Sequence, residues 1–174
     1  MTDYSVILLS PQQAEARRDG LVDLLVDAVE GGASVNFIRP MTRAKAEAWW
    51  AGALASHARG ERVILTAEAT ARLDGTVQII LAPQENQAFR ADIAKLMVHR
   101  RARRQGLGTQ LMHAAEAEAR RIGRTLLTLD TEAASAAAQL YARLGWIKYG
   151  TIPGYATSAD NRTRDTVSFF YKVL

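Results

Sequence analysis

The sequence predicts one α/β domain over residues 1–174, built on a mixed, mostly antiparallel sheet with a central parallel pair. Three observations lead there. Strand-like residues 90–99, an amphipathic helix opening at Gly106 and a strand at 125–131 form a strand–helix–strand unit, which within one sheet means parallel strands joined by a right-handed crossover. Two pairs of β-rich segments, 63–69 with 76–81 and 147–152 with 166–174, stand at antiparallel spacing. Two amphipathic helical stretches precede them all.

In chain order, residues 4–9 are β-rich enough for a first strand. Ser10-Pro11-Gln12-Gln13 then combines an N-cap, a first-turn proline and a capping-box glutamine, so a helix starts there. Leu21, Leu24, Leu25, Ala28 and Val29 share one helical face, Gly31-Gly32 ends the run, and Gly20 is a candidate break inside it. Thr42 caps a second helix whose apolar face holds Ala46, Trp49, Trp50, Ala53 and Leu54 and which ends near Gly60. Between these helices residues 31–38 read as a loop or as the wall of a binding pocket.

For the next strand pair, Asp74-Gly75 is the strongest turn dipeptide, and Thr70-Ala71 is the alternative that lengthens both strands. Strand 90–99 places Asp92, Ala94, Leu96 and Val98 on one face and Ile93, Lys95, Met97 and His99 on the other, with apolar residues on both as a central strand requires. A helix over about residues 135–144 is stopped by Gly145. In the last strand Val167, Phe169, Tyr171 and Val173 are expected to point inward.

Composition narrows the chemistry. The chain has no cysteine, which excludes disulfides, thiolate metal sites and a cysteine nucleophile. No apolar run approaches the roughly 18 residues of a membrane span and no leader pattern is present, so a cytoplasmic protein without membrane contact is expected. The formal net charge of +4 gathers at residues 100–104 and 120–124 without interleaved aromatics, which argues against nucleic acid as the partner. His57, His99 and His113 have no partnered spacing, so neither a metal nor a triad is expected.

The stretch from Leu96 to Met112 carries the clearest chemical signal. A strand gives way to a basic turn and then a helix, and a helix start leaves backbone N–H groups free to meet an anion. Gly106 and Gly108 permit close approach, while Arg103 and Arg104 add charge. The spacing is not a dinucleotide fingerprint, since position 111 is Leu, and no Gly-Lys-Ser/Thr of a P-loop follows. The plain alternative is a helix start with solvated arginines.

The segment 96–112, followed by Ala137-Ala138-Gln139-Leu140-Tyr141-Ala142-Arg143-Leu144-Gly145-Trp146, resembles the GNAT family of N-acetyltransferases. Residues 31–35, 95–98, 129–133 and 153–155 look like the tabtoxin-resistance branch of that family. The resemblance implies helices on both faces of the sheet and acetyl-CoA wedged between strands 90–99 and 125–131, which splay apart. It places the cofactor on Leu96, Met97 and Val98, on Arg103, Arg104, Gln105, Gly106, Leu107, Gly108 and Thr109, and on Ala137 and Tyr141. It also implies that the Val98 N–H steadies the thioester oxygen, that Tyr141 protonates the leaving thiolate, and that Asp92 or Asp130 draws the proton from the amine. Gly32, Ser34, Val35, Phe37, Asp92, Asp130 and Tyr155 become the candidate acceptor site.

Two departures from the family pattern stand out. Asp92 occupies a position where relatives of the tabtoxin type usually have glutamate, and Ala134 stands where asparagine is common. The expected activity is acetyl transfer from acetyl-CoA to a primary amine of a small, amino acid-like toxin or antibiotic, without a metal. The alternatives are a peptide or protein N-terminus as acceptor, or a non-catalytic CoA-binding module; a homodimer is left open.

Overall fold

In the computed structural model, which describes residues 3–70 and 72–174, seven strands form one sheet in the order β1-β2-β3-β4-β5-β7-β6. They are β1 (Ser5–Leu8), β2 (Arg62–Ala69), β3 (Arg72–Leu81), β4 (Arg90–Val98), β5 (Leu126–Glu132), β6 (Ile147–Thr157) and β7 (Arg164–Val173). Neighbours are antiparallel except β4 and β5, which are parallel because α4 (Leu107–Arg121) carries the chain back between them.

Helices α1 (Pro11–Ala16), α2 (Arg18–Glu30) and α3 (Arg43–Ala58) cover one face, and α4 with α5 (Ala136–Arg143) covers the other. Their starts are written in side chains. Ser10, Thr42 and Ser135 accept hydrogen bonds from the N–H groups of Gln13, Lys45 and Ala138, and Ser10 with Gln13 completes a capping box. The first face buries Leu21, Leu24, Leu25, Trp50 and Ile64; the second buries Leu107, Leu111, Met112, Leu127 and Phe170.

Four sequence expectations need correction. The first helical run breaks at Arg17, not at Gly20, whose missing side chain serves packing, since a Cβ there would stand 3.3 Å from that of Leu73. The β2–β3 connection falls at Thr70, with Ala71 outside the described residues, and Asp74-Gly75 lies within β3. Asp74 tolerates a buried strand position because Tyr4, Arg72 and Arg101 all donate to its carboxylate. At Gly75 a Cβ would come 2.9 Å from Leu111, so close helix packing, not a turn, demands the glycine.

The third correction concerns β4. The register passes from Gln78↔Ala94 to Thr76↔Met97, so Val77 faces both Lys95 and Leu96 across a β-bulge, and Lys95 takes a positive φ of 53°. The extra residue switches faces. Ala91 and Ile93 enter the α4 core before the bulge, whereas Met97 enters the α1–α3 core after it, and Leu96 and Val98 pack toward α4. Fourth, β7 buries Val167, Ser168 and Phe170, while Phe169 and Tyr171 are half-buried and Val173 is exposed.

Candidate functional site

The parallel pair is short. β4 and β5 are in register only at Arg90↔Leu126, Ala91↔Leu127 and Asp92↔Thr128, yet β4 runs on to Val98 and β5 to Glu132. Beyond Asp92 and Thr128 the two strands diverge and leave facing edges without a ladder. The His99 N–H donates to the Asp74 carbonyl at 2.8 Å, so strand alternation turns the Val98 N–H away from β3 and toward the opening. The Val98 carbonyl faces the same way and accepts from Arg103 Nε at 3.1 Å.

Past β4 the basic residues separate into two sets. Arg100 pairs with Asp27 and Arg101 with Asp74, both through bonds under 3 Å to buried carboxylates, so these two hold the turn in place. Arg103, Arg104 and Gln105 are exposed beside it. Gly106, at φ 78°, opens α4, and Gln110 is the first residue whose N–H returns to the Gly106 carbonyl. The N–H groups of Leu107, Gly108 and Thr109 therefore lie at the free positive end of the helix. Leu107 buries its side chain in the core, and a Cβ on Gly108 would meet Leu140 of α5 at 3.2 Å, so Gly108 also sets the distance between these helices.

On the α4–α5 face, Tyr141 is 6% exposed, with Trp146 and Phe170 rings at centroid distances of 6.0 Å each. Behind it Glu116 accepts from Trp146 Nε1 and from Lys172 Nζ, and Lys172 also donates to the Leu144 carbonyl, which anchors the end of α5. Burial, and then the charge of Asp130, push the Tyr141 hydroxyl well above the ordinary phenol range. Ala137 lies one turn earlier on α5, partly buried against the same core.

The opposite face is charged. Asp92 accepts from Arg90 Nη1 at 2.6 Å and from the Thr128 hydroxyl, and Arg90 also donates to Thr128. Asp130 stands two residues beyond Thr128 on the same face of β5. Its carboxyl is raised above its usual value, first by desolvation, with Lys95 lowering it and Asp92 raising it. Asp130 is thus felt both by Lys95 on this face and by Tyr141 on the other.

These observations describe a strand pair open on one side, an anion-ready turn below it, a neutral phenol on one face and carboxylates on the other. The acetyltransferase (GNAT) family model matches residues 15–146. The chain belongs to that family. An uncharacterized N-acetyltransferase in the hisH-hisA intergenic region of Azospirillum brasilense is 30% identical over 132 residues, covering 75% of this chain and 76% of its own. Among solved structures, an N-acetyltransferase from Staphylococcus aureus Mu50 superposes with TM-score 0.80 at 17% identity over 99% of both chains. A Salmonella typhimurium structure holding its cofactor acetyl-CoA matches with TM-score 0.78 at 18% identity, over 98% of this chain and 94% of that one. Membership makes the chain an N-acetyltransferase and acetyl-CoA its acetyl donor.

In this GNAT chain the predicted acceptor residues of the loop after α2 and of β6 fall at three places. Gly32 and Ser34 line a cavity of about 280 Å³ with Arg39, Glu132, Asp160 and Asp165, where the loop after α2 meets the ends of β5 and the β6–β7 hairpin. Val35 and Phe37 pack on the α1–α3 core, and Phe37 meets Trp49 edge-on at 5.7 Å. Tyr155 is exposed on β6 and meets Phe169, the register partner of Asp130, edge-on at 5.2 Å. Among the described residues no cluster of His, Cys, Asp and Glu is arranged to hold a metal, and no helix is long and apolar enough to cross a membrane.

Sequence reasoning missed Lys95, Arg62 and Gln78 on the acceptor face. Lys95 was assigned a face by strict alternation, and the bulge that aims it at Phe37 and Trp49 has no mark in the sequence. Arg62 and Gln78 sit in ordinary strand positions, where only the fold brings Arg62 over Trp49 and Gln78 to Arg62.

Proposed function

We propose that the protein, acting as one domain over residues 1–174, acetylates the primary amine of a small, amino acid-like molecule, such as a toxin or antibiotic, by direct transfer within a ternary complex. The observation that carries this reading is the opening between β4 and β5, which has Tyr141 on one face and Asp92 and Asp130 on the other. When bound, acetyl-CoA supplies an activated acetyl carbonyl and a thiolate leaving group.

The chain's own groups divide the remaining tasks. Backbone at Leu96 and Val98 holds the cofactor along the free edge of β4, with Met97 between them anchoring the strand in the core. Arg103, Arg104, Gln105 and the N–H groups of Gly106, Leu107, Gly108 and Thr109 meet its phosphates, and Ala137 and Tyr141 border it from α5. The Val98 N–H donates to the acetyl oxygen as that atom gains charge.

Asp130 takes the proton from the acceptor amine, directly or through a water, because its raised pKa makes it a stronger base than an ordinary carboxylate. Asp92, held by Arg90 and Thr128, orients the amine beside it. The Tyr141 hydroxyl keeps its proton until the sulfur leaves, then donates it. Gly32, Ser34, Val35, Phe37 and Tyr155 surround the acceptor.

A thiol-release assay with acetyl-CoA and a panel of small amines, with products identified by mass, tests the reading. Amine-dependent thiol release matched by an equal amount of N-acetylated product is expected. Thermal stabilisation by CoA without turnover would mark a binding module instead, and turnover confined to peptide N-termini would move the acceptor class.

A further inference from the structure

The acceptor face holds two cations that the transfer itself does not use. Lys95, at the bulge of β4, keeps its ammonium 5.5 Å from the Phe37 ring centroid and 5.4 Å from that of Trp49. Arg62 lies over the same Trp49 ring at 6.0 Å and donates to Ser56 Oγ at 3.3 Å and to Gln78 Oε1 at 2.6 Å. Among the described residues neither cation is in an ion pair.

Gln78 makes the cluster more demanding. It is fully buried, its oxygen is taken by Arg62, and its Nε2 has no partner. The guanidinium fixes the orientation of the amide, since a donor needs the oxygen, and so leaves the NH₂ as a spare buried donor. A desolvated ammonium, a guanidinium and an unpaired amide donor beside one aromatic wall are each costly in isolation and are all satisfied by an anion. Burial depresses the Lys95 ammonium to about 8.

We infer that Lys95, with Arg62 and the Gln78 amide behind it, receives the carboxylate of the acceptor, which is therefore a free α-amino acid or a compound that keeps its amine beside a carboxylate. This rests on the acetyltransferase reading above and narrows it. Asp130 and Lys95 interact with each other, so the face presents a base for the amine next to a cation. An α-amino acid carries the complementary pair two bonds apart. A peptide N-terminus, whose neighbouring carboxyl is an amide, offers the amine alone. Phe37 and Trp49 would lie along the acceptor's side chain.

The test compares acceptors and variants in one thiol-release assay at saturating acetyl-CoA, using the common α-amino acids, their methyl esters and the corresponding decarboxylated amines, with rates referred to the deprotonated amine. The wild type should favour acids over esters and decarboxylated amines by about 10- to 100-fold in kcat/KM, mostly through KM. Lys95→Met should lower kcat/KM for acids by a similar factor beyond any change it causes for esters and decarboxylated amines, so that the preference collapses, and Lys95→Arg should restore part of it. A thermal shift with acetyl-CoA shows that each variant is folded and binds its donor. Equal rates for acids and decarboxylated amines in the wild type, or a preference that survives Lys95→Met, would overturn the inference and leave the acetyltransferase reading standing. Absence of amine-dependent thiol release with every probe would overturn both.

Discussion

The two faces of the β4–β5 opening bury titratable groups in different company. Toward α4 and α5, Tyr141 sits among Trp146, Phe170 and aliphatic core; toward α1–α3, half-buried Asp92, Lys95, Arg62 and Arg90 share one patch with the more exposed Asp130. Burial raises the pKa of Tyr141 and of Asp130 alike, yet with opposite chemical consequences. A phenol raised further above working pH is a proton donor that never titrates away, whereas a raised carboxyl holds a proton more tightly and so is a stronger base. One physical effect thus prepares an acid on the leaving-group side and a base on the acceptor side.

The comparison breaks most visibly at Tyr141. Tyr141→Phe keeps the ring among its aromatic neighbours and removes the hydroxyl, so turnover should fall about 10²-fold while acetyl-CoA binding and melting temperature stay nearly unchanged. Full activity in that variant would reduce the α4–α5 face to packing, and a water would have to supply the proton. On the opposite face Asp130→Asn should lower turnover by about 10-fold or more, and Asp92→Asn by less, because Arg90 and Thr128 already hold that carboxylate.

The pH profile sharpens the same contrast. Asp130 must be ionised to act, and its pKa lies above the ordinary carboxylate value, so activity should be lost on acidification sooner than an unperturbed aspartate would dictate. Asp130→Asn should remove that acid limb. Tyr141, raised above the ordinary phenol value, should contribute no alkaline loss below about pH 10. A kcat profile measured from acid to alkaline pH in wild type and variant checks both statements.

How far these faces could be read from sequence depends on what each rests upon. Ser10, Thr42, Ser135 and Gly106 mark helix starts because capping and positive φ are local requirements, and all four stand where the pattern placed them. The turn after β4 stands out through spacing within a single segment, whereas Tyr141 is singled out only by the family resemblance of the segment that carries it. The acceptor face was not, since a bulge shifts every later side chain of β4 by one position and is decided by pairing with β3, which is non-local. Asp74-Gly75 misled for a related reason. Its turn chemistry is overridden by three donors from distant residues and by the contact with Leu111.

Smaller effects should separate the two sets of arginines below the opening. Arg103→Ala should raise KM for acetyl-CoA several-fold, more at low than at high salt, because an exposed cation acts on phosphate through a screened charge. Arg100→Ala should leave that constant unchanged and lower the melting temperature by a few degrees, since its work is to satisfy Asp27. Gly108→Val should do both, raising KM and lowering stability, because the added side chain meets Leu140 as well as the free end of α4.

The account stands on both substrates meeting across the opening. A conjugate in which CoA is joined through an acetyl bridge to the nitrogen of an acceptor amino acid would occupy both faces at once. It should inhibit competitively against acetyl-CoA and against the amine, and should bind about 10²-fold more tightly than CoA alone, because the second contact becomes intramolecular. Binding no tighter than CoA, with inhibition that excess amine does not relieve, would contradict direct transfer between the two faces.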